Sequence, residues 1–270
     1  MSGEKPGSWR EAAGAAFAEW AGATMGSEWA DGDAVLFSPI ESQQSLLYQN
    51  ADCLAARTFL VMSELPFSID ERTNAEYISP SGDVPFLKVR DVLVADFEPI
   101  VDFVRRKGHS LSDALPAADQ AGLQAFISLI NRNLKMIEMH VCWLHDPTAL
   151  GITKRRYGSV YPWPLSWLLP RLKARRVAAA LDTHSYLDKD VDQVKEDFAA
   201  VCRALSSRLG VNAYFNDVDT PTELDALVFG HLYTILTTEL IDIDLASVVR
   251  QHDNLVAFCK RVDDAFFTSK

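Results

Sequence analysis

The chain has 270 residues, of which 48% are hydrophobic and 23% are charged, a balance typical of a globular protein with a full hydrophobic core. Its net charge of −11 disfavours nucleic-acid binding, which needs clustered lysine and arginine to displace counterions from phosphates. We therefore expect a folded protein without a nucleic-acid partner.

The four cysteines lie far apart and include no CxxC pair: Cys53, Cys142, Cys202 and Cys259. A zinc site and a dithiol redox centre both need closely spaced thiols, so the sequence predicts neither. There is no HExxH pattern, and we interpret His140, His145 and His231 as hydrogen-bonded core or boundary residues. We expect no metal and no cofactor.

The sequence contains no run of about 18 apolar residues, so it predicts no transmembrane helix. The amino terminus lacks the apolar stretch of a secretion signal, and Glu4, Glu11 and Glu19 are atypical of a mitochondrial presequence. A membrane location would therefore depend on a partner or on a surface patch.

Residues 1–34 are rich in alanine and glycine, and we interpret them as an N-terminal extension. A helix over residues 9–25 is compatible with their apolar side chains, although the glycines weaken it. The extension could be a docking arm or a tether, and we favour the tether.

Hydrophobic periodicity changes repeatedly between residues 35 and 108, as expected where strands and helices alternate. The predicted elements are a strand at 45–48, a helix that starts near Leu54 and stops at Leu65-Pro66, strands at 67–72, 84–89 and 92–95, and a helix from about Pro99 to about Gly108. This order is that of a thioredoxin-like α+β domain, in which helices cover one mixed sheet.

After residue 108, apolar residues recur 3, 4 and 7 positions apart, which is the spacing of amphipathic helices. Helices are predicted over 123–144, 191–209, 224–236 and 255–266, and Gly210 stands where a helix-ending glycine is expected. Residues 109–270 are therefore predicted to form an all-α domain.

Two local motifs resemble those of the glutathione-transferase fold. Val84-Pro85 at the start of a strand resembles the family's cis-proline, and Thr222-Glu223-Leu224-Asp225 resembles its helix-capping box. The resemblance gives structural roles to Pro85, Thr222 and Asp225. It also implies that the helical domain is of the glutathione-transferase C-terminal type.

Four longer phrases resemble the metaxin family in the same order along the chain: NAEYISPSGDVPF (74–86), KGHSLSD (107–113), RYGSVYPWPL (156–165) and PTELDALVFGHLYTILTT (221–238). The resemblance extends from about residue 44 to residue 266. It implies a non-catalytic, peripheral protein on the cytosolic face of the mitochondrial outer membrane, acting in protein import and β-barrel protein assembly. The implied partners are a membrane-anchored, metaxin 1-like subunit and the β-barrel assembly machinery, with motor-adaptor proteins as further partners in mitochondrial transport.

The alternative is a glutathione-dependent transferase with an atypical active site. In that family a hydroxyl or thiol follows the first strand, and a Glu-Ser pair binds the γ-glutamyl end of glutathione. Here residues 50–52 take the first place and offer no thiol, while Cys53 just beyond them is either a reactive thiolate at a helix N-terminus or an inert buried thiol. Asp96 takes the acidic place of the pair, but Phe97 takes the serine's place and has no hydroxyl. The transferase interpretation is therefore disfavoured.

Residues 154–176, here called the basic connector, hold seven lysines and arginines and no acidic residue, so the rest of the chain carries a net charge of −18. Four aromatic residues lie among these charges: Tyr157, Tyr161, Trp163 and Trp167. Pro162, Pro164 and Pro170 are predicted to keep the segment from forming one long helix.

Three interpretations of the basic connector remain open. It could be a packed segment between helices, a docking site for a partner protein, or a contact with anionic lipid, which attracts Trp, Tyr, Lys and Arg. The candidate docking residues are Arg155, Arg156, Tyr161, Trp163, Trp167, Arg171 and Arg175.

Overall fold

Four short strands form one mixed sheet in the computed structural model, which describes residues 33–216 and 219–268. They are β1 (Ala34–Ser38), β2 (Ser68–Glu71), β3 (Phe86–Val89) and β4 (Val92–Ala95). β1 is parallel to β2 and antiparallel to β3, and β3 is antiparallel to β4, so the spatial order is β2-β1-β3-β4.

Three helices accompany the sheet: α1 (Leu47–Met62), α2 (Ala75–Ile78) and α3 (Phe97–Arg106). The Val84–Pro85 peptide bond, which directly precedes β3, is cis. The predicted extension, residues 1–34 with its helix at 9–25, lies outside the described residues except for Asp33 and Ala34, and Ala34 already belongs to β1.

The first strand was predicted at the wrong place. Residues 45–48 are buried, but Leu47 and Tyr48 begin α1, and the first strand is Ala34–Ser38 instead. A short, mostly apolar run fits a buried strand and a buried helix end equally well, so periodicity alone could not separate the two. The helix predicted from Leu54 begins seven residues earlier, at Leu47, and the short helix α2 was not predicted. The strands predicted at 67–72, 84–89 and 92–95 and the helix from about Pro99 agree with the structure to within two residues at their ends.

All regular elements described after residue 106 are helical: α4 (Ala117–Leu129), α5 (Lys135–Trp143), α6 (Asp146–Thr148), α7 (Lys154–Gly158), α8 (Leu165–Thr183), α9 (Val191–Leu209), α10 (Glu223–Thr237), α11 (Leu245–Arg250) and α12 (Asp253–Asp263), with π-helical turns at Ile130–Leu134, Ala149–Thr153 and Asp264–Thr268. The first π-helical turn joins α4 to α5, so the helix predicted over 123–144 is part of one helical run. The predicted fold class, an α+β part followed by an all-α part, is confirmed, while the domain limits 35–108 and 109–270 stay predictions.

The N-terminus of α10 is held by a capping box. The carboxylate of Asp225 accepts hydrogen bonds from the Thr222 backbone N–H, the Thr222 hydroxyl and the Phe215 backbone N–H, all at 2.8 Å. Both capping residues are fully buried. The box thus ties the preceding loop to the first turn of a core helix.

Helix α10 packs against α1 at very close range. Gly230 makes this possible, because a Cβ atom there would lie 2.5 Å from the Ala51 carbonyl oxygen and 2.6 Å from the Ala55 backbone nitrogen. The apolar residues of both halves form one continuous hydrophobic core around this crossing. The α1–α10 contact therefore joins the sheet-containing half to the helical half.

Candidate functional site

Cys53 does not have the surroundings of a nucleophile. It lies in the second turn of α1 rather than at its N-terminus, and burial, with added repulsion from Asp52 and Asp83, raises the pKa of its thiol well above the usual range. The thiolate hypothesis for Cys53 was therefore wrong, because the first strand had been placed too close to this cysteine.

The loop after the true first strand carries hydroxyls instead of a thiol. Ser38 and Ser45 line a groove of about 340 Å³ together with Cys53, Arg57 and Tyr233. The predicted nucleophile position, residues 50–52, lies inside α1 instead.

The position of the family's Glu-Ser pair is occupied by residues that do not form such a site. Phe97 is buried at the first position of α3 and packs edge to face on Phe59, with ring centroids 6.0 Å apart. Asp96 precedes it with φ of +70°, and its carboxylate accepts a 3.3 Å hydrogen bond from the Ser81 hydroxyl. Burial raises the pKa of Asp96.

Three carboxylates surround one lysine near this position. Lys135 donates to Asp52 at 2.8 Å and also feels the charges of Asp83 and Asp96. Burial opposes the lysine charge, but the carboxylates outweigh it and raise the pKa of Lys135. Asp83 also lies 3.7 Å from Lys173, and Asp52 lies 3.5 Å from His231. Lys135 is therefore engaged by carboxylates of the chain itself and is not presented to a carboxylate of a ligand such as glutathione.

His231 lies between two buried carboxylates at the junction of the two halves. Its Nδ1 is 2.9 Å and 3.0 Å from the Glu138 carboxylate oxygens, and its Nε2 is 3.5 Å from Asp52 Oδ1. Burial disfavours the charged imidazole, but Glu138 and Asp52 outweigh it and raise the pKa of His231 to about 9. A charged histidine therefore links α10 to α5 and to α1.

The two remaining histidines of the sequence prediction also have partners within the fold. His140 Nε2 is 3.0 Å from the Lys189 carbonyl oxygen, and His145 Nδ1 is 2.9 Å from the Thr148 hydroxyl. Within residues 33–216 and 219–268, no group of three or more His, Cys, Asp or Glu side chains is arranged to hold a metal ion.

The basic connector is more helical than predicted. It consists of α7, a turn that contains the cis peptide bond Trp163–Pro164, and the first part of α8. Pro170 lies inside α8, although it was expected to interrupt the helix. Proline has no N–H, so Pro170 cannot donate the usual helical hydrogen bond to the Ser166 carbonyl oxygen. Gly158 packs closely against that oxygen, because a Cβ at residue 158 would lie 2.5 Å from it.

Part of the basic connector fastens it to the sheet-containing half. The buried Tyr157 hydroxyl donates to Glu76 at 2.8 Å, and buried Lys173 forms an ion pair with the same carboxylate. The Tyr161 hydroxyl donates to the Thr73 carbonyl oxygen at 2.6 Å. For these residues the packed interpretation applies.

Two of the predicted docking residues belong to this fastened part. Tyr161 is half-buried and also accepts a 3.0 Å hydrogen bond from Gln44. Arg156, likewise half-buried, donates to the Glu41 carbonyl oxygen. We therefore remove Tyr161 and Arg156 from the exposed docking set.

The other part of the basic connector faces solvent. Trp163 is 84% exposed and Trp167 is 56% exposed, and the Arg171 guanidinium lies 4.0 Å from the centre of the Trp167 ring. Three leucines that the sequence analysis did not select are exposed beside them: Leu165, Leu168 and Leu172. Their spacing of 3 and 4 along a helix was the available signal. We call the exposed set Trp163, Leu165, Trp167, Leu168, Arg171, Leu172 and Arg175 the exposed connector face.

No helix among residues 33–216 and 219–268 combines the length and the apolar character needed to cross a membrane. The exposed connector face is short, and two arginines lie in its C-terminal part.

The chain is similar to several metaxins over most of its length. It is 44% identical to human metaxin-2 over 88% of this chain and 90% of that protein. It is 46% identical to the metaxin-2 homologue of Caenorhabditis elegans over 76% of this chain and 89% of that protein. Mouse metaxin-1 is more distant, at 28% identity over 80% of this chain and 70% of that protein.

Two family profiles match separate parts of the chain. The profile described as outer mitochondrial membrane transport complex protein matches residues 53–174, and the glutathione S-transferase C-terminal domain profile matches residues 198–262. The first match contains most of the basic connector, and the second contains α10 and its neighbours. The two matches therefore agree with the two resemblances seen in the sequence.

Solved structures of low sequence identity share the fold. A β-etherase of Sphingobium sp. strain SYK-6 superposes with a TM-score of 0.61 at 15% identity, covering 88% of this chain and all of that one. A glutathione S-transferase of Ceriporiopsis subvermispora gives a TM-score of 0.56 at 10% identity, covering 86% of this chain and 97% of that one. Because it is 44–46% identical to metaxin-2 proteins over most of its length and has a glutathione-transferase-like fold, this chain belongs to the metaxin family.

Proposed function

We propose that this chain is a non-catalytic subunit of a mitochondrial outer-membrane complex for protein import and β-barrel protein assembly. The single observation that carries the proposal is the metaxin-2 similarity, which spans nine-tenths of the human protein. The match to the outer mitochondrial membrane transport complex profile supports the same membrane and a role in protein transport. In this proposal the chain sits peripherally on the cytosolic face.

A membrane-anchored, metaxin 1-like subunit is the proposed direct partner. Metaxin-1 proteins are 26–28% identical to this chain over 80% of its length, and the family resemblance implies that the two kinds of subunit act together. The β-barrel assembly machinery and motor-adaptor proteins are further proposed partners, and these rest on the family resemblance alone.

The alternative, a glutathione-dependent transferase with an atypical site, is opposed by three local features. Phe97 provides no hydroxyl, the thiol of Cys53 is buried and protonated, and Lys135 is engaged by carboxylates of the chain itself. Leaving a carboxylate of glutathione without a partner in such a place would be costly. The hydroxyls of Ser38 and Ser45 are the features that keep this alternative worth testing.

Two measurements on the same preparation test the proposal. The purified chain is used to capture partners from detergent extracts of mitochondrial outer membranes, and its glutathione binding is measured by calorimetry. We expect recovery of a metaxin 1-like subunit or of the β-barrel assembly machinery, and no heat of glutathione binding. A glutathione transferase of known activity serves as the control that binds glutathione and captures neither partner.

The opposite pattern would contradict the proposal. Micromolar glutathione binding without a membrane partner would assign the chain to the transferases and would direct attention to Ser38 and Ser45. Capture that survives only in the absence of salt would indicate non-specific attraction to the basic connector.

A further inference from the structure

The start of α8 exposes apolar side chains and arginines in a fixed order. Trp163, just before the helix, and Leu165, Trp167 and Leu168 in its first turn come first, and we call them the apolar tip. Arg171 and Arg175 follow one and two turns later, with the exposed Leu172 between them. A helix rises about 1.5 Å per residue, so Arg175 lies about 12 Å along the axis from Trp167. Both exposed tryptophans and two of the three exposed leucines therefore stand at one level, and both arginines stand at the next.

This order matches the layers of a lipid interface. Tryptophan favours the headgroup zone of a bilayer, and arginine near the surface is attracted to anionic lipid. Arginines one to two turns behind the apolar tip would then reach the phosphates. The Arg171 side chain lies towards the apolar tip, because its guanidinium covers the Trp167 ring and donates to the Trp167 carbonyl oxygen at 2.8 Å.

The charges near the exposed connector face favour an anionic surface. No ion pair joins Arg171 or Arg175 to a carboxylate among residues 33–216 and 219–268. The acidic side chains of Glu76 and Asp83 contact the basic connector: Glu76 is buried and engaged by Lys173, Tyr157 and Arg176, and Asp83 lies 3.7 Å from Lys173. The rest of the chain carries a net charge of −18, so an anionic bilayer should on average repel it and favour contact through the basic connector.

The directions of the side chains also favour lipid over a protein partner. At 3.6 residues per turn, Trp167 and Leu165 point about 160° apart around the helix axis. A fluid interface can surround groups that diverge in this way, whereas a protein partner has to match each of them with a separate pocket.

We propose that the exposed connector face inserts its apolar tip into the headgroup zone of a bilayer that contains anionic phospholipid, with Arg171 and Arg175 at the lipid phosphates. This contact orients the chain on the membrane without a spanning helix. The inference rests on the proposed function for the membrane concerned, but the contact itself needs no partner protein.

Flotation with protein-free vesicles tests this contact. The purified chain is mixed with vesicles of phosphatidylcholine alone, or with vesicles that also contain phosphatidylinositol, and centrifuged through a density gradient. We expect the chain to float with the anionic vesicles only, and the bound fraction to fall as salt is raised, because salt screens the arginines.

Paired variants separate the two layers of the face. The W163S/W167S variant removes the apolar tip, and R171Q/R175Q removes the cations; each should lower the partition coefficient by roughly tenfold or more. R171K/R175K keeps the charge and should retain most of the binding. The matched controls are L93S/V211S and R203Q/R250Q, which alter exposed apolar residues and exposed arginines elsewhere and should bind as the unaltered chain does.

The outcomes are distinct from those of partner capture. Equal flotation of the connector variants and the control variants would overturn the lipid contact. Absence of flotation, combined with loss of a captured protein in W163S/W167S, would also overturn it and would assign the exposed connector face to a protein partner. Flotation as expected, without capture of any metaxin 1-like subunit, would support the lipid contact while contradicting the proposed function. All variants should keep the unaltered melting temperature, since the substituted side chains are exposed.

Discussion

His231 shows how a single residue can join two halves of a protein. Its imidazole connects Glu138 on α5 to Asp52 on α1, and all three side chains are buried. The raised pKa of His231, about 9, keeps the imidazole charged at neutral pH. Each buried carboxylate thereby keeps an opposite charge close by, which a neutral residue could not supply.

We predict that the His231→Ala substitution lowers the free energy of unfolding by roughly 3–5 kcal/mol at neutral pH, because it leaves Glu138 and Asp52 without their shared partner. The histidine pKa is higher in the folded state than in the unfolded state, so its contribution is complete below about pH 6.5. The contribution is lost as pH rises through about 9. Urea unfolding at several pH values measures the difference between the two proteins.

The control for this prediction is His184→Ala, which removes an exposed histidine and should change stability by less than about 0.5 kcal/mol. The difference between the unaltered chain and His231→Ala should shrink between neutral pH and about pH 10. A difference that stays constant over this range would mean that His231 is uncharged in the folded protein.

At the scale of elements, the crossing of α1 and α10 depends on a missing side chain. Gly230 lies in the interior of α10, where glycine normally weakens a helix relative to alanine. Its backbone instead approaches the α1 backbone so closely that a methyl group has no room. Packing between two helices thus outweighs the intrinsic helix preference of one residue.

The Gly230→Ala substitution should destabilise the protein by roughly 1–3 kcal/mol, because the new methyl group forces α1 and α10 apart. The matched control is Gly122→Ala in α4, where the nearest atom would be the Arg208 Nη2 at 3.7 Å. That substitution should stabilise the protein by roughly 0.5–1 kcal/mol through helix propensity. Thermal unfolding of both variants tests this prediction. Shifts of the melting temperature in the same direction for both substitutions would argue against the close crossing of α1 and α10.

The basic connector shows which of its docking residues could be predicted from the sequence and which could not. The clustering of Trp and Arg was visible in the sequence, and Trp163, Trp167, Arg171 and Arg175 are exposed. Tyr161, selected on the same grounds, bonds instead to Thr73 and Gln44, which are 88 and 117 residues away along the chain. Composition cannot distinguish an exposed aromatic residue from one that a distant loop covers.

At the scale of the whole molecule, one hydrophobic core spans the sheet and the helices. The α1–α10 contact and the His231 network both cross between the two halves. Neither half can open along this boundary without exposing buried apolar surface and buried charge at once. We therefore expect the two halves to unfold as one cooperative unit.

Native-state hydrogen exchange tests this cooperativity. The amides of Leu87 in β3 and Leu227 in α10 should exchange with similar, near-global free energies, because neither element can open alone. His231→Ala should lower both values together. Exchange of Leu87 at a much lower free energy than Leu227 would show that the sheet-containing half unfolds by itself.

The sequence by itself determined the features that depend on neighbours along the chain. Helical spacing gave the bounds of α9 as 191–209, and the Thr222–Asp225 motif marked the start of α10. These features are local, since the hydrogen bonds of a helix and of its cap join residues three or four positions apart. The family phrases and the uneven distribution of charge could also be read directly.

The tertiary structure alone decided the features that depend on residues distant in sequence. The true first strand at Ala34–Ser38 is identified by its pairing with β2 and β3. The partner of His231, Glu138, lies 93 residues away. Likewise, only packing against the rest of the fold determines that Tyr157 is buried and Trp163 exposed, because burial is the sum of contacts from many parts of the chain.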